Sequence, residues 1–136
     1  MESQQIKQQP VLNKALELLF SFEAEDITLL ELTSQKSLFD YVLIATCVSE
    51  TQIKSLLNKM KRALAKEQGS KIKLEYSAGA RWALLDCGDL IIHLFEKETR
   101  EFYSLERLWS DAKQIELNSA DFITTIEEES EYDEFL

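Results

Sequence analysis

Residues 81–95, RWALLDCGDLIIHLF, contain two apolar runs on either side of Cys87-Gly88 and give the clearest structural signal in the chain. Two such runs joined by a two-residue loop that contains Gly are typical of a β-hairpin, since Gly supplies the positive φ angle that the turn needs. The predicted cross-strand pairs are Asp86 with Asp89, Leu84 with Ile91, and Trp82 with His93. The segment therefore predicts two neighbouring antiparallel strands.

The two faces of this hairpin differ in composition, because successive side chains of a strand point to opposite sides. One face is purely aliphatic and is predicted to lie under helices: Ala83, Leu85, Leu90, Ile92 and Leu94. The other face mixes aromatic, aliphatic and acidic side chains with one His: Trp82, Leu84, Asp86, Asp89, Ile91, His93 and Phe95. Apolar and aromatic groups beside charges are typical of a protein interface. If the second face is open, it predicts a surface for a partner protein, and we expect a one-residue shift of the loop to spoil this assignment.

The hydrophobic pattern of the remaining chain predicts a mixed α/β fold. The predicted elements are helices over 11–20, after Ser49 and over 97–109, and strands over 27–32, 40–47 and 71–76. Ser49 and Gln52 form an S-x-x-Q capping box that marks the start of the second helix. In the last helix, Phe102, Leu105 and either Leu108 or Trp109 are predicted to point inward. The element order predicts an α/β (α+β-like) mixed sheet of about five strands, with helices packed mainly on one face.

Length and charge predict one folded domain and an acidic tail. The chain has 136 residues and a net charge of -10. Residues 121–136 contain seven acids and no base, so residues 1–120 carry 18 acids against 15 bases. We expect a domain over residues 1–113 and a flexible acidic tail over 114–136. An acidic protein repels phosphates, which argues against a nucleic-acid-binding protein and favours a basic protein partner.

Other features of the sequence predict a cytoplasmic protein without a membrane anchor. No apolar stretch reaches the roughly 20 residues of a membrane span. The first ten residues, MESQQIKQQP, lack the apolar core of a signal peptide. The two cysteines, Cys47 and Cys87, form no metal-binding or CxxC pattern, which favours a reducing compartment.

Three side chains of the hairpin are also candidates for catalysis. Asp86 and Asp89 would form a metal-binding or acid–base pair across the loop, which leaves a metal-dependent nucleotidyl- or phosphotransferase as the alternative function. His93 has no second His in the chain and no nucleophile pattern beside it, so a packed or interfacial His is the simpler interpretation. The sequence also contains no P-loop and no G-x-G-x-x-G motif. We therefore predict no catalytic residue, no cofactor and no bound metal.

The stretch Leu84-Leu85-Asp86-Cys87-Gly88-Asp89-Leu90-Ile91-Ile92-His93 resembles the LLD-x-GD-aliphatic-aliphatic-H stretch of the ribosomal silencing factor family, also called Iojap-like proteins. The resemblance covers roughly residues 10–112. It is also carried by Asp26-Ile27, Asp40-Tyr41, Ile44-Ala45-Thr46, Ser49, Trp82, Phe95, Arg100, Phe102-Tyr103, Leu105-Glu106, Leu108-Trp109 and Asp111-Ala112. Two positions depart from the family pattern: Cys47 stands where Gly is usual, and Cys87 stands where an aromatic or aliphatic residue is frequent.

The resemblance implies a nucleotidyltransferase-like α/β fold without the catalytic metal site, and a role that is not enzymatic. It implies binding to the fourteenth ribosomal protein of the large subunit, at the subunit interface, with little direct contact to nucleic acid. Such binding blocks joining of the small subunit and represses translation, and relatives in organelles act in assembly of the large subunit.

The hairpin and the helix after it supply the predicted docking residues. From the position of each side chain we predict as partner-binding residues Trp82, Leu84, Asp86, Asp89, Ile91, His93, Phe95, Tyr103, Glu106 and Trp109. The three acids are candidates for ion pairs at the rim of the interface. The same face is also a candidate for a homodimer contact.

Overall fold

The computed structural model describes residues 2–32, 39–68, 72–76, 79 and 81–122. Its helices are α1 (Glu2–Lys7), α2 (Pro10–Ser21), α3 (Glu50–Gln68) and α4 (Lys97–Tyr103). Its strands are β1 (Glu25–Glu31), β2 (Tyr41–Cys47), β3 (Lys73–Tyr76), β4 (Trp82–Asp86), β5 (Leu90–Glu96) and β6 (Lys113–Ile115). Among the described residues, Leu105–Trp109 and Ser119–Asp121 form 3-10 turns. None of the described helices is both long enough and apolar enough to cross a membrane.

The strands form one six-stranded sheet in the order β3-β4-β5-β2-β1-β6. β2 and β5 are parallel neighbours, and every other neighbouring pair is antiparallel. The predicted mixed α/β sheet is therefore confirmed, with six strands instead of about five. β6 was not predicted because its sequence, Lys113-Gln114-Ile115, is short and mostly polar; it forms by pairing with β1.

The helices α1, α2 and α3 pack on one face of the sheet and enclose the main core. Their apolar side chains meet alternate residues of the strands, including Leu29, Leu43, Leu85, Ile92 and Leu94, all fully buried. Ser49 caps α3 as predicted, since its hydroxyl accepts from Gln52 N–H at 3.1 Å. The reciprocal bond of the predicted box differs by one residue: the Gln52 side-chain oxygen accepts from Val48 N–H, at 2.6 Å, and not from Ser49 N–H.

The hairpin of β4 and β5 forms, but its loop lies one position later than predicted. The observed pairs are Trp82 with Phe95, Leu84 with His93, and Asp86 with Ile91. Cys87 N–H donates to the Leu90 carbonyl at 2.9 Å, so Gly88 and Asp89 form the loop, with Gly88 at φ +82°. The predicted Cys87-Gly88 loop is wrong. Moving the loop by one position changes the partner of each strand residue by two positions, so every strand side chain keeps its predicted face. The expectation that a one-residue shift of the loop would spoil the assignment of faces is therefore wrong.

The second face of the sheet is partly covered, and the predicted helix over 97–109 is broken. Ser104 takes a left-handed conformation at φ +48°, which ends α4 and starts the 3-10 turn Leu105–Trp109. Leu105 and Trp109 then pack against a small core on this face, whose buried members are Leu30, Leu32, Val42, Ile44 and Phe95. Phe102 was predicted to point inward, but it is 79% exposed.

The ordered fold continues past the expected domain boundary at residue 113. β6 begins at that residue, and Phe122 is buried with its ring stacked on Phe20 of α2 at a centroid distance of 5.5 Å. Residues 123–136, which make up most of the predicted acidic tail, lie outside the described residues. The flexibility of that segment therefore stays a prediction.

Candidate docking surface

The sheet face opposite α2 and α3 carries a connected group of rings, which we call the aromatic face: Trp82, His93, Phe95, Tyr103 and Trp109. Trp82 lies at its centre, with ring centroids 4.9 Å from Phe95 and 4.9 Å from Tyr103. His93 lies 5.9 Å from Phe95 and 6.2 Å from Trp109. These separations are those of favourable aromatic pairs, so the rings hold one another in place.

A hydrogen bond fixes the central ring. The Trp82 indole N–H donates to His93 Nδ1 at 3.1 Å, and the two ring centroids are 5.9 Å apart. Since Nδ1 accepts this bond, the proton of the neutral imidazole is assigned to Nε2. Burial lowers the pKa of His93 from 6.5 to about 4, because a charged imidazolium would lose its hydration inside the protein. His93 is therefore neutral at physiological pH and orients Trp82.

The predicted docking residues form a buried floor and an accessible layer. Ile91, His93 and Phe95 are 5%, 5% and 0% exposed, so they form the floor. Tyr103 is 51% exposed, whereas Trp82, Leu84 and Trp109 are half-buried. The accessible layer is therefore the part of this face that reaches solvent, and the floor holds that layer in position.

The three predicted acids have different surroundings. The Asp86 carboxylate accepts from Gly88 N–H at 3.0 Å and so stabilises the turn, while Asp89 is exposed within the loop. Glu106 is already engaged, because its Oε1 accepts from Arg100 Nε at 2.7 Å. Asp89 is thus the only exposed one of these three acids.

The Asp86–Asp89 arrangement does not favour the alternative catalytic interpretation. Asp86 pairs with Ile91 across the hairpin, so the two carboxylates do not face each other as predicted. Within the described part of the chain, no group of three or more His, Cys, Asp or Glu side chains is arranged to hold a metal ion.

Burial also suppresses nucleophilic character in the two thiols. It raises the pKa of Cys47 to about 11 and of Cys87 to about 12, with smaller contributions from the carboxylates of Glu25 and Asp86 respectively. Both thiols are therefore protonated near neutral pH, and neither has the low pKa of a reactive cysteine.

Several accessible apolar residues beside the aromatic face were missed by the sequence reasoning. Phe102 packs edge-on against Tyr103 at 5.1 Å, and Phe102, Leu108 and Tyr76 are 79%, 71% and 56% exposed. Tyr76 lines a shallow groove of about 320 Å³ together with Glu75, Trp82 and Leu84. The adjacent pair Phe102-Tyr103 was a usable signal, because neighbouring residues of a helix lie about 100° apart and rarely both point inward.

Arg100 positions the helix that carries these rings. Its Nη1 donates to the Asp26 carbonyl at 2.6 Å and to the Thr46 hydroxyl at 2.8 Å, and its Nη2 donates to the Thr28 hydroxyl at 3.0 Å. Together with the ion pair to Glu106, these bonds tie α4 to β1, to β2 and to the following 3-10 turn. The orientation of Tyr103 thus depends on contacts between residues that are far apart in the sequence.

Comparison with known proteins places this geometry in a family. Residues 4–135 match the family model described as "Ribosomal silencing factor during starvation". The chain is similar to "Ribosomal silencing factor RsfS" of Halalkalibacterium halodurans, at 37% identity over 110 residues, covering 80% of this chain and 93% of that protein. It is also similar to "Mitochondrial assembly of ribosomal large subunit protein 1" of Mus musculus, at 30% identity over 96 residues, covering 68% of this chain and 42% of that protein.

A solved structure supports the same assignment. The crystal structure of a protein from Bacillus halodurans superposes with a TM-score of 0.67 at 36% sequence identity, covering 80% of this chain and 99% of that one. The family model spans nearly the whole chain, and the matched region includes the LLDCGDLIIH hairpin. On this evidence the chain belongs to the ribosomal silencing factor family.

Proposed function

We propose that this protein binds the large ribosomal subunit through the aromatic face and prevents the small subunit from joining, which represses translation. The proposed partner is the fourteenth ribosomal protein of the large subunit, and the proposed action is steric rather than enzymatic. Membership of a family of ribosomal silencing factors supports the role in translation. The name of the mouse relative supports the large subunit as the site of action. That name is also compatible with a role in the assembly of the large subunit.

The observation that carries the proposal is the accessible aromatic layer on a fixed floor. Trp82 is held by a hydrogen bond to His93 and by stacking on Phe95, while Tyr103 and Phe102 extend outward from it. Large rings that are fixed before binding lose little conformational entropy, and such residues dominate the energy of protein interfaces. The arrangement suits a partner that offers an apolar pocket, and the exposed acids Asp89 and Glu75 beside the rings disfavour a strand of RNA, whose phosphates they would repel.

The charge of the rim suits a basic partner. Asp89 in the loop and Glu75 in the groove beside Trp82 are both exposed. Exposed rim charges change the association rate and the salt dependence more than they change the final affinity. We therefore expect binding to weaken gradually with salt while the aromatic contacts keep most of the affinity.

Sedimentation of purified ribosomal subunits tests the proposal. We expect the protein to travel with the large subunit and to lower the yield of joined ribosomes. The substitution Tyr103→Ala should weaken large-subunit binding by about 2 kcal/mol, roughly 30-fold, as for an interface hot spot. Val48→Ala is the matched control, because Val48 is 68% exposed and lies outside the aromatic face.

Three outcomes would count against the proposal. A protein that stays at the top of the gradient does not act on the large subunit. A Tyr103→Ala variant that binds as tightly as the wild type would remove the aromatic face as the site. Self-association of the free protein that is abolished by Tyr103→Ala, without large-subunit binding, would assign the face to a homodimer.

A further inference from the structure

The exposed side of α3 carries a concentration of positive charge in a strongly acidic protein. Residues 51–66 contain five bases and no acid, although the whole chain has 25 acids and 15 bases. Four of these bases are exposed and define what we call the basic face: Lys54, Lys61, Arg62 and Lys66. At 3.6 residues per turn they lie within an arc of about 140°, and they extend along roughly 18 Å of the helix.

The basic face carries no acidic side chain between its four bases, and the acids of α3, Glu50 and Glu67, lie at its two ends. Within the described ranges of the chain, none of its four side chains makes an ion pair. The exposed residues between them, Thr51, Ser55 and Asn58, are uncharged. Arg62 and Lys66 are four residues apart, a spacing at which like charges destabilise a helix by a few tenths of a kcal/mol. A stripe of this kind is suited to an acidic occupant that neutralises it.

The course of the chain brings an acidic segment to this helix. Phe122, the last described residue, stacks on Phe20 near the end of α2. Just beyond that end, the Phe22 carbonyl accepts from the Gln52 side chain of α3, and the Lys59 ammonium lies 4.6 Å from the centroid of the Phe22 ring. The described chain therefore ends at Phe122 on the helix side of the sheet, in the core that α2 and α3 share.

Residues 123–136, ITTIEEESEYDEFL, contain six acids and no base. The first acid, Glu127, follows Phe122 by five residues, a reach of up to about 16 Å. Because the segment is covalently attached, its effective concentration at α3 is in the millimolar range typical of short linkers. We propose that the acidic segment 127–134 docks on the basic face of α3 in the same molecule. The occupant neutralises a surface that would otherwise attract phosphates.

A spin label in the acidic segment of the full-length protein tests this proposal. Ser130→Cys provides the attachment point, and the native Cys47 and Cys87 do not compete, because both are buried. At low salt we expect the backbone amides of residues 54–66 to lose most of their NMR signal intensity. The signals should return in 0.5 M NaCl, given a Debye length below about 5 Å at that ionic strength. They should also return in a Lys54→Gln, Lys61→Gln, Arg62→Gln, Lys66→Gln variant.

Control measurements distinguish docking of the acidic segment from binding of a second protein molecule or of RNA to the basic face. A spin-labelled control variant with Lys7→Gln, Lys73→Gln, Lys97→Gln and Arg107→Gln has the same net charge as the variant with four substitutions on α3. This control should keep the signal loss of the wild type. Signal loss in a mixture of spin-labelled protein and separate isotope-labelled protein would assign the basic face to a second copy. Unchanged amides of α3, together with binding of a 20-base-pair RNA duplex that is lost in the Lys54–Lys66 variant, would assign it to RNA. Each of these two results overturns the proposal.

Discussion

The pH dependence of stability tests the environment of His93 directly, because this is the only histidine in the chain. Burial lowers its pKa from 6.5 to about 4 in the folded protein. The unfolded chain therefore binds the proton more tightly than the folded protein does. The stabilising contribution is fully present above pH 6.5, falls as the pH drops from 6.5 towards 4, and is absent below 4.

The size of the effect follows from the shift in pKa. A difference of about 2.5 units corresponds to roughly 3 kcal/mol over the whole pH window, at about 1.4 kcal/mol per unit. Between pH 7 and pH 5 the same linkage predicts a loss of about 2 kcal/mol from His93 alone. That is a measurable part of the roughly 5–15 kcal/mol by which a domain is stable.

The assay is urea unfolding at several pH values, compared with the variant His93→Gln. Glutamine keeps a side-chain oxygen that can accept from the Trp82 indole, but it does not titrate. Carboxylates contribute to both proteins in the same way, so the difference between the two pH profiles isolates His93. The NMR signal of the single imidazole gives the folded pKa independently. A titration midpoint near 6.5, or identical pH profiles for both proteins, would show that the His93 imidazole is not desolvated in the folded protein.

Two further predictions follow from the packing. Arg100→Met should lower the free energy of unfolding, measured in urea, by about 2–4 kcal/mol, because it removes four hydrogen bonds, including the one to the buried Thr46 hydroxyl. The control Arg107→Met, at an exposed position, should change the free energy of unfolding little. Cys47 and Cys87 should react with a thiol reagent at pH 8 only at the rate of unfolding, since burial raises the pKa of both thiols; fast labelling of the native protein would contradict the burial of these side chains.

The predictable part of this fold is the part that local patterns determine. The alternation of apolar residues in 82–95 assigned the strand side chains to their faces, and the capping box located the start of α3 within one residue. The loop position was wrong because the pattern around Cys87 and Gly88 is compatible with two adjacent loops that give the same faces. β6 was missed because three mostly polar residues carry no pattern of their own and pair only when β1 is already in place.

The way α4 and the following 3-10 turn cover the second face of the sheet could not be predicted, because the contacts that cause it are not local. Arg100 bonds to Thr46 and Thr28, which precede it by 54 and 72 residues, and these contacts set the direction of α4. The left-handed turn at Ser104 then sends Leu105 and Trp109 inward and leaves Phe102 in solvent. Residues that the strand pattern alone predicts to be an open surface, such as Phe95, are thereby buried, and the accessible rings are Phe102 and Tyr103 of the helix that folds over them. The accessible residues of a surface on this hairpin therefore cannot be identified without the tertiary contacts of the helix that covers it.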